Sequence, residues 1–131
     1  FKNIILAGHL GKFVKVAAGI FHTHSKVADA RSEVMIANLA LMGANLNILK
    51  EVEQCPTTEA AMEIIEREGL EEVYTLLADK CERRCKMHLN DDTINVGVLL
   101  FSMAGEELGR SKSTNALLAE YSKIDGGGGE R

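Results

Sequence analysis

The sequence predicts an α/β or α+β domain that is rich in helix and has a small mixed sheet covered by several helices. Two apolar runs have the character of buried strands, residues 3–7 and residues 94–101, and a third strand is expected near residues 106–110. Most of the chain between the first two runs has apolar residues at helical spacing. Because these strands are too few to close a sheet, we expect the domain to be part of a larger, two-domain protein.

The helix boundaries follow from apolar spacing, caps and glycines. In the first helix, from Lys12 to about Ile20, Lys12 and Lys15 should lie together on the face opposite the apolar stripe. Ser25 is a candidate N-cap for a long helix that ends before Gly43 and whose apolar second half predicts a central core helix. Further helices are expected at residues 46–53, 58–68, 70–88 and 113–122.

Composition limits the class of protein. With 131 residues, 46% of them hydrophobic, the chain can bury the core of one ordinary domain. We place that domain at residues 1–124 and a flexible glycine-rich tail at residues 125–131. No apolar stretch reaches the roughly 20 residues that cross a membrane, and no signal peptide is visible, so the expected location is the cytoplasm. Three cysteines form an odd count, which favours free thiols.

Charge is distributed unevenly along the chain. Residues 1–31 carry five basic side chains and one acidic one, whereas the remainder carries ten basic and eighteen acidic side chains. Three of the four histidines lie in the same basic stretch. This asymmetry indicates an anionic ligand near the N-terminal end of the chain. Nucleic-acid binding is disfavoured, because there is no broad basic surface and few aromatic residues are available to stack on bases.

The first motif, GHLGK at residues 8–12, lies where a strand gives way to a helix. Free backbone N–H groups at such a junction can bind an anion, and Gly8 and Gly11 permit close approach while Lys12 and Lys15 add charge. The spacing fits neither a P-loop nor a dinucleotide-binding glycine motif. An anion site and a plain strand-to-helix turn with solvated lysines both remain open.

The second motif, FHTHSKVADAR at residues 21–31, places several polar side chains at a helix entry. Asp29 and Arg31 are two residues apart and cannot face one another on a helix, so each needs another partner, and one of them can approach the first motif if the two helix starts are adjacent. In the plainer interpretation Ser25 caps the helix, Asp29 complements the dipole, and Arg31 pairs with an acid elsewhere in the protein. His22 and His24 would need a third ligand to hold a metal, so imidazoles that donate hydrogen bonds are favoured, and no metal site is predicted.

A second cluster, Cys81, Cys85 and His88, shares one helix face. Three ligands from one helix without an obvious fourth make a weak metal site. Two buried thiols and a histidine near the negative end of the helix dipole are the favoured interpretation.

Together the two motifs resemble the cobalamin-biosynthesis D protein (CbiD) family of cobalt-precorrin-5B C(1)-methyltransferases. The family pattern is matched in both motifs and in the helix between them, by Gly8, His9, Gly11, Lys12, Lys15, Ala17, Gly19, Phe21, Thr23, His24, Ser25, Ala28, Asp29 and Arg31. The resemblance covers the whole chain as the C-terminal part of a longer protein. An N-terminal portion of the same protein is therefore an expected partner.

The resemblance implies methyl transfer from S-adenosylmethionine to C-1 of cobalt-precorrin-5B, giving cobalt-precorrin-6A in anaerobic vitamin B12 synthesis. S-adenosylmethionine would be the co-substrate, and the cobalt would belong to the tetrapyrrole substrate. We expect this portion alone to be inactive if the cleft is shared with the N-terminal part. The alternative is a non-catalytic anion-binding or interaction domain whose motifs stabilise an interface.

Residue roles follow from the same resemblance. Lys12, Lys15 and Arg31 would clamp carboxylates. His22 and His24 would donate hydrogen bonds or move a proton, with Asp29 orienting a histidine or Arg31. The catalytic candidates are His22, His24 and Asp29. The binding candidates are Gly8, His9, Gly11, Lys12, Lys15, Thr23, Ser25 and Arg31. The sequence leaves open whether the first motif binds S-adenosylmethionine or the carboxylates of the tetrapyrrole.

Overall fold

A computed structural model describes residues 2–19 and 31–124, with side chains as far as residue 120. Within these residues the fold is an α+β arrangement of six helices and three strands. In chain order the elements are β1 (Lys2–His9), α1 (Leu10–Ala17), α2 (Arg31–Leu41), α3 (Leu46–Glu53), α4 (Thr58–Arg67), α5 (Glu72–Leu89), β2 (Ile94–Phe101), β3 (Glu107–Arg110) and α6 (Thr114–Ile124). The predicted fold class is confirmed. The predicted N-cap at Ser25 and the predicted tail at residues 125–131 lie outside the described residues.

The sheet is mixed, in the order β1-β2-β3. Strand β1 pairs with β2 in parallel from Lys2↔Ile94 to His9↔Phe101, and β2 pairs with β3 in antiparallel fashion. Within residues 2–19 and 31–124, β1 has a strand on one side only. The expectation of a buried first strand is therefore wrong, because an edge strand leaves side chains such as Leu6 36% exposed.

The two faces of β2 pack against different helices. Val96, Val98 and Leu100 alternate along the strand and are fully buried in the main core, which also contains the buried face of α5. Gly97 faces the other way, where a Cβ would lie 2.9 Å from Thr114 Oγ1 of α6. A glycine at this position therefore allows α6 to approach the sheet closely.

Helix α2 is buried on one side only. Val34, Met35 and Leu39 lie in the core, but Leu41 is 69% exposed. The apolar second half predicts a helix buried all round, and that prediction is wrong for the described residues. Within residues 2–19 and 31–124, α2 packs mainly against α1, α3 and α5, which leaves part of its surface uncovered.

Local capping signals explain where the helices begin and end. Asn45 and Thr57 accept hydrogen bonds from the amides of Ile48 and Ala60, which fixes the starts of α3 and α4. Gly43 follows α2 with a φ of +91°, a left-handed conformation that favours glycine, as the sequence predicts for this helix end.

Candidate ligand-binding site

The first motif lies at the junction of β1 and α1. Gly8 and His9 end the strand, and Gly11 and Lys12 belong to the first turn of the helix. His9 is the N-cap residue, with extended backbone, and its side chain makes no capping hydrogen bond. The first N–H groups of α1 therefore have no capping side chain from His9, which is the arrangement predicted for an anion-binding turn.

Gly8 has a packing role. A Cβ at this position would lie 3.2 Å from Cζ and 3.3 Å from Cε1 of the Phe13 ring, which is tighter than most real contacts. The absence of a side chain at Gly8 thus gives room to the half-buried Phe13 ring. This part of the motif has a structural explanation without any ligand.

The imidazole of His9 is fixed to the neighbouring strand. Its Nδ1 lies 3.1 Å from the carbonyl oxygen of Ser102, just beyond the end of β2. Because a carbonyl oxygen can only accept, Nδ1 carries the proton in this hydrogen bond. His9 thus joins the carboxyl ends of the two parallel strands, β1 and β2.

The two lysines of α1 lie in different environments. Lys12 is exposed, whereas Lys15 is only 3% exposed. The expectation that both lie on one solvated face is wrong for Lys15. Helix α1 packs against both α2 and α5, so residues beside its apolar stripe are also covered, and a lysine can bury its aliphatic stem in such a place.

Arg31 reaches the first motif through Gly11. A Cβ at Gly11 would lie 3.6 Å from Arg31 Nη1 and 3.8 Å from Thr58 Oγ1, both ordinary contact distances. The fold therefore joins residues from the first turn of α1, the described start of α2 and the start of α4. The prediction that Asp29 or Arg31 approaches the first motif is confirmed for Arg31.

A pocket of about 180 Å³ opens beside this contact. Its polar lining comes from the start of α2 and from the loop that leads into α4, and it includes Arg31, Ser32, Glu33, Thr57 and Thr58. Its apolar lining includes Val14, Met35, Val52 and Ala61. The pocket thus combines both signs of charge with an apolar wall.

Cys55 also lines this pocket, and its thiol stays protonated near neutral pH. Burial raises the pKa of Cys55, and the nearby carboxylates of Glu51 and Glu63 raise it further. Its Sγ donates a hydrogen bond to the backbone carbonyl of Glu51 at 3.4 Å. The pocket therefore gains neither a negative charge nor an activated nucleophile from this cysteine.

The other two cysteines are buried on α5, and all three are free thiols, as predicted. Burial raises the pKa of Cys81 to about 12 and also raises that of Cys85. Among the described residues, no group of three or more His, Cys, Asp or Glu side chains could hold a metal ion.

The contribution of α4 to this site was not predictable from the sequence. Pro56 and Thr57 mark a helix start, but no sequence signal shows that this start faces Gly11 and Arg31, since that depends on tertiary packing. His22, Thr23, His24, Ser25 and Asp29 lie outside the described residues, so their predicted roles remain predictions.

A second, wider cavity of about 590 Å³ lies between β1, β2 and α6. Lys86 and Lys112 line it, together with Asn3 and Asn95, whose side-chain amides hydrogen-bond to each other. Asn3 and Asn95 lie near the amino ends of β1 and β2, away from the first motif.

In the described part of the chain, no helix is long and apolar enough to cross a membrane.

Comparison with known proteins identifies the family. Residues 22–112 match the family model described as CbiD, C-terminal domain. A cobalt-precorrin-5B C(1)-methyltransferase from Clostridioides difficile (strain 630) is 53% identical over 123 residues, covering 92% of this chain and 30% of that protein. A protein of the same name from Photorhabdus laumondii is 49% identical over 120 residues, covering 90% of this chain and 32% of that protein.

The relative from Listeria welshimeri, with the same name, is 46% identical over 123 residues, covering 92% of this chain and 33% of its own length. The chain thus spans about a third of the length of these curated relatives. No solved structure matches it significantly. The matched family model and the similarity along more than nine tenths of the chain show that it belongs to the CbiD C-terminal domain family.

Proposed function

We propose that this chain is part of an enzyme that methylates C-1 of cobalt-precorrin-5B, giving cobalt-precorrin-6A in anaerobic cobalamin biosynthesis. The observation that carries the proposal is the 53% identity, along 92% of the chain, to a relative named for this reaction. S-adenosylmethionine is the methyl donor, and cobalt enters only as part of the substrate. The reaction takes place in the cytoplasm.

Methyl transfer depends more on the orientation of the two reactants than on an activated protein side chain. The methyl group leaves the sulfonium for the ring carbon, the sulfur keeps the electron pair of the broken bond, and S-adenosylhomocysteine is released. Such an in-line displacement gains much of its rate from alignment and from exclusion of water. The carboxylates of the reactants need cations and helix N-termini, which the first motif and Arg31 supply.

Roles for individual residues follow from this chemistry. Lys12 and Arg31 bind carboxylates, His22 and His24 donate hydrogen bonds or move a proton, and Asp29 orients one of these groups. Lys15 contributes from its buried position in α1, where it supports the helix that presents the first motif. The remaining two thirds of the protein supply the other wall of the cleft.

A second candidate is a non-catalytic anion-binding or interaction domain. It is favoured by the packing of Phe13 against Gly8 and by the burial of Lys15, since both give residues of the pattern a structural purpose. In that case changes at Gly11 and Arg31 would alter stability or assembly and leave ligand affinity unchanged.

The reaction is tested with the complete polypeptide that contains this chain. It is incubated with cobalt-precorrin-5B and S-adenosylmethionine labelled with ¹³C at the transferred methyl group, and the product is located by NMR. Label at C-1 supports the proposal, whereas label at another carbon, or none, contradicts it. The isolated chain of 131 residues should give no turnover.

A further inference from the structure

The lining of the pocket beside Gly11 carries both signs of charge. Arg31 and Glu33 are two residues apart at the described start of α2, and both line the cavity. A guanidinium has five N–H donors and can serve an incoming carboxylate in addition to contacts within the protein. The Glu33 carboxylate, in contrast, accepts hydrogen bonds and attracts a cation. A ligand that fits both groups carries an anion and a cation at one end.

The start of α4 adds donors on the same side as Arg31. The hydroxyl of Thr57 accepts a hydrogen bond from the amide of Ala60 at 3.1 Å, so this side chain satisfies the third N–H of the helix. The N–H groups of Thr58 and Glu59 precede it and have no acceptor within the helix. The helix dipole also favours an anion here.

The size of the pocket limits what it can enclose. Its volume of about 180 Å³ is below the roughly 300–1,000 Å³ of pockets that surround a whole drug-sized ligand. A tetrapyrrole ring cannot enter, but a group the size of an amino acid can. The apolar wall formed by Val14, Met35, Val52 and Ala61 suits methylene groups and a sulfur atom.

We propose that this pocket binds the α-amino-carboxylate end of S-adenosylmethionine. The carboxylate lies against Arg31 and the first N–H groups of α4, the ammonium group lies against Glu33, and the methylene chain follows the apolar wall. This inference rests on the proposed function. It answers part of the question that the sequence leaves open, because it assigns Arg31, which lies against Gly11 of the first motif, to the methyl donor.

The other source of a carboxylate is an acetate or propionate arm of the tetrapyrrole. Such an arm satisfies Arg31 and the start of α4 equally well. It brings no cation for Glu33, however, and would place two carboxylates in one small pocket, which is unfavourable. The presence of Glu33 therefore favours an amino acid over a simple carboxylate arm.

An NMR titration of the ¹⁵N-labelled complete polypeptide distinguishes these ligands. The three probes are S-adenosylhomocysteine, 5′-methylthioadenosine, which lacks the amino-carboxylate, and uroporphyrin, which carries only acetate and propionate arms. We expect S-adenosylhomocysteine to shift the amides of residues 31–35 and 57–61, and the other two probes to leave them unchanged. The comparison of probes requires no mutation.

Variants then test the two charges separately. Arg31→Met and Glu33→Gln should each weaken S-adenosylhomocysteine binding about tenfold, as expected for loss of one charge-assisted hydrogen bond. Neither should change the affinity for 5′-methylthioadenosine. Arg83→Met is the matched control, because Arg83 is an exposed arginine of α5 that does not line the pocket.

Three results would overturn the inference. Uroporphyrin alone shifting these amides would assign the pocket to a tetrapyrrole arm, and equal shifts with 5′-methylthioadenosine would assign it to the nucleoside. Absence of any shift with S-adenosylhomocysteine would show that the pocket does not bind the donor. In each case label at C-1 in the methyl-transfer experiment would still support the proposed function, so the two failures are distinguishable.

Discussion

A single substitution at Gly11 tests whether the first motif serves ligand binding or the stability of the fold. A Cβ at Gly11 meets only ordinary contacts, and alanine is favoured over glycine in a helix by about 1 kcal/mol. Gly11→Ala should therefore leave the free energy of unfolding unchanged or raise it, while the added methyl group beside Arg31 weakens binding of S-adenosylhomocysteine. Urea denaturation and the NMR titration measure the two effects.

The matched control for this change is Gly97→Ala. Its Cβ would lie 2.9 Å from Thr114 Oγ1 and 3.1 Å from the Thr114 backbone, so overpacking should cost about 1–3 kcal/mol. A loss of stability of that size at Gly11 would instead show that the glycine of the first motif is required by the fold.

His9 offers a second test at this scale. Its hydrogen bond to the Ser102 carbonyl requires a proton on Nδ1. His9→Asn retains a donor close to the position of Nδ1 and should preserve most of the stability, whereas His9→Ala should lose about 0.5–1.5 kcal/mol. Thermal unfolding measures both variants, and ¹⁵N shifts of the imidazole report the tautomer. A ring with its proton on Nε2 would disprove this account of His9.

Some residue-level features of the site were predictable from the sequence and others were not. The approach of Arg31 to the first motif was predictable only in part, because the sequence shows neither that the two helix starts are adjacent nor which of Asp29 and Arg31 makes the contact. The burial of Lys15 was not, since it depends on α2 and α5 covering both sides of α1. The presence of Ser32, Glu33 and Thr58 in the pocket beside Arg31 could not be predicted either, because it depends on how separate helices pack.

Helix α5 links stability to pH through Cys81, whose Sγ donates a hydrogen bond to the Phe13 carbonyl of α1 at 3.0 Å. Burial raises the pKa of this thiol from 9.0 to about 12. A raised pKa in the folded state means that the stabilisation is complete below pH 9 and is lost as the pH rises towards 12. The free energy of unfolding should therefore fall across this range.

Cys81→Ala should flatten that alkaline decline, even though the variant is less stable at neutral pH. Cys55→Ala is the control, because Cys55 is partly exposed and its removal should change the slope less. Urea denaturation between pH 8 and pH 11 measures these slopes. An unchanged slope in Cys81→Ala would contradict the assignment, and the decline would then belong to Tyr74 or Cys85, whose pKa values are also raised by burial.

At the level of elements, local signals predicted the type and position of most helices and strands. The predicted helix at residues 58–68 is α4, at Thr58–Arg67, and the predicted helix at residues 70–88 is α5, at Glu72–Leu89. The predicted and observed bounds agree because capping residues and glycines determine where a helix begins and ends through local contacts. Burial was predicted less well: both β1 and α2 are more exposed than their composition suggests, since exposure depends on what else packs against an element.

For the molecule as a whole, the exposed edge of β1 suggests where the rest of the polypeptide packs. Exposed strand edges invite pairing with further chain. In the chain of 131 residues, the β1 amides that point away from β2 should exchange rapidly with solvent. In the complete polypeptide they should be protected, and amide hydrogen exchange measures the difference. Equal exchange rates in both forms would show that the remaining two thirds contact another surface.

Whether the pocket lined by Arg31 holds the methyl donor can be measured as the rate of methyl transfer to C-1 by the complete polypeptide, compared among the unmodified protein and its Arg31→Met and Arg83→Met variants. If Arg31 binds the donor, kcat/KM for S-adenosylmethionine falls about tenfold or more in Arg31→Met and is unchanged in Arg83→Met. Equal values in all three proteins, with Arg31→Met folded as shown by its NMR spectrum, would contradict the account.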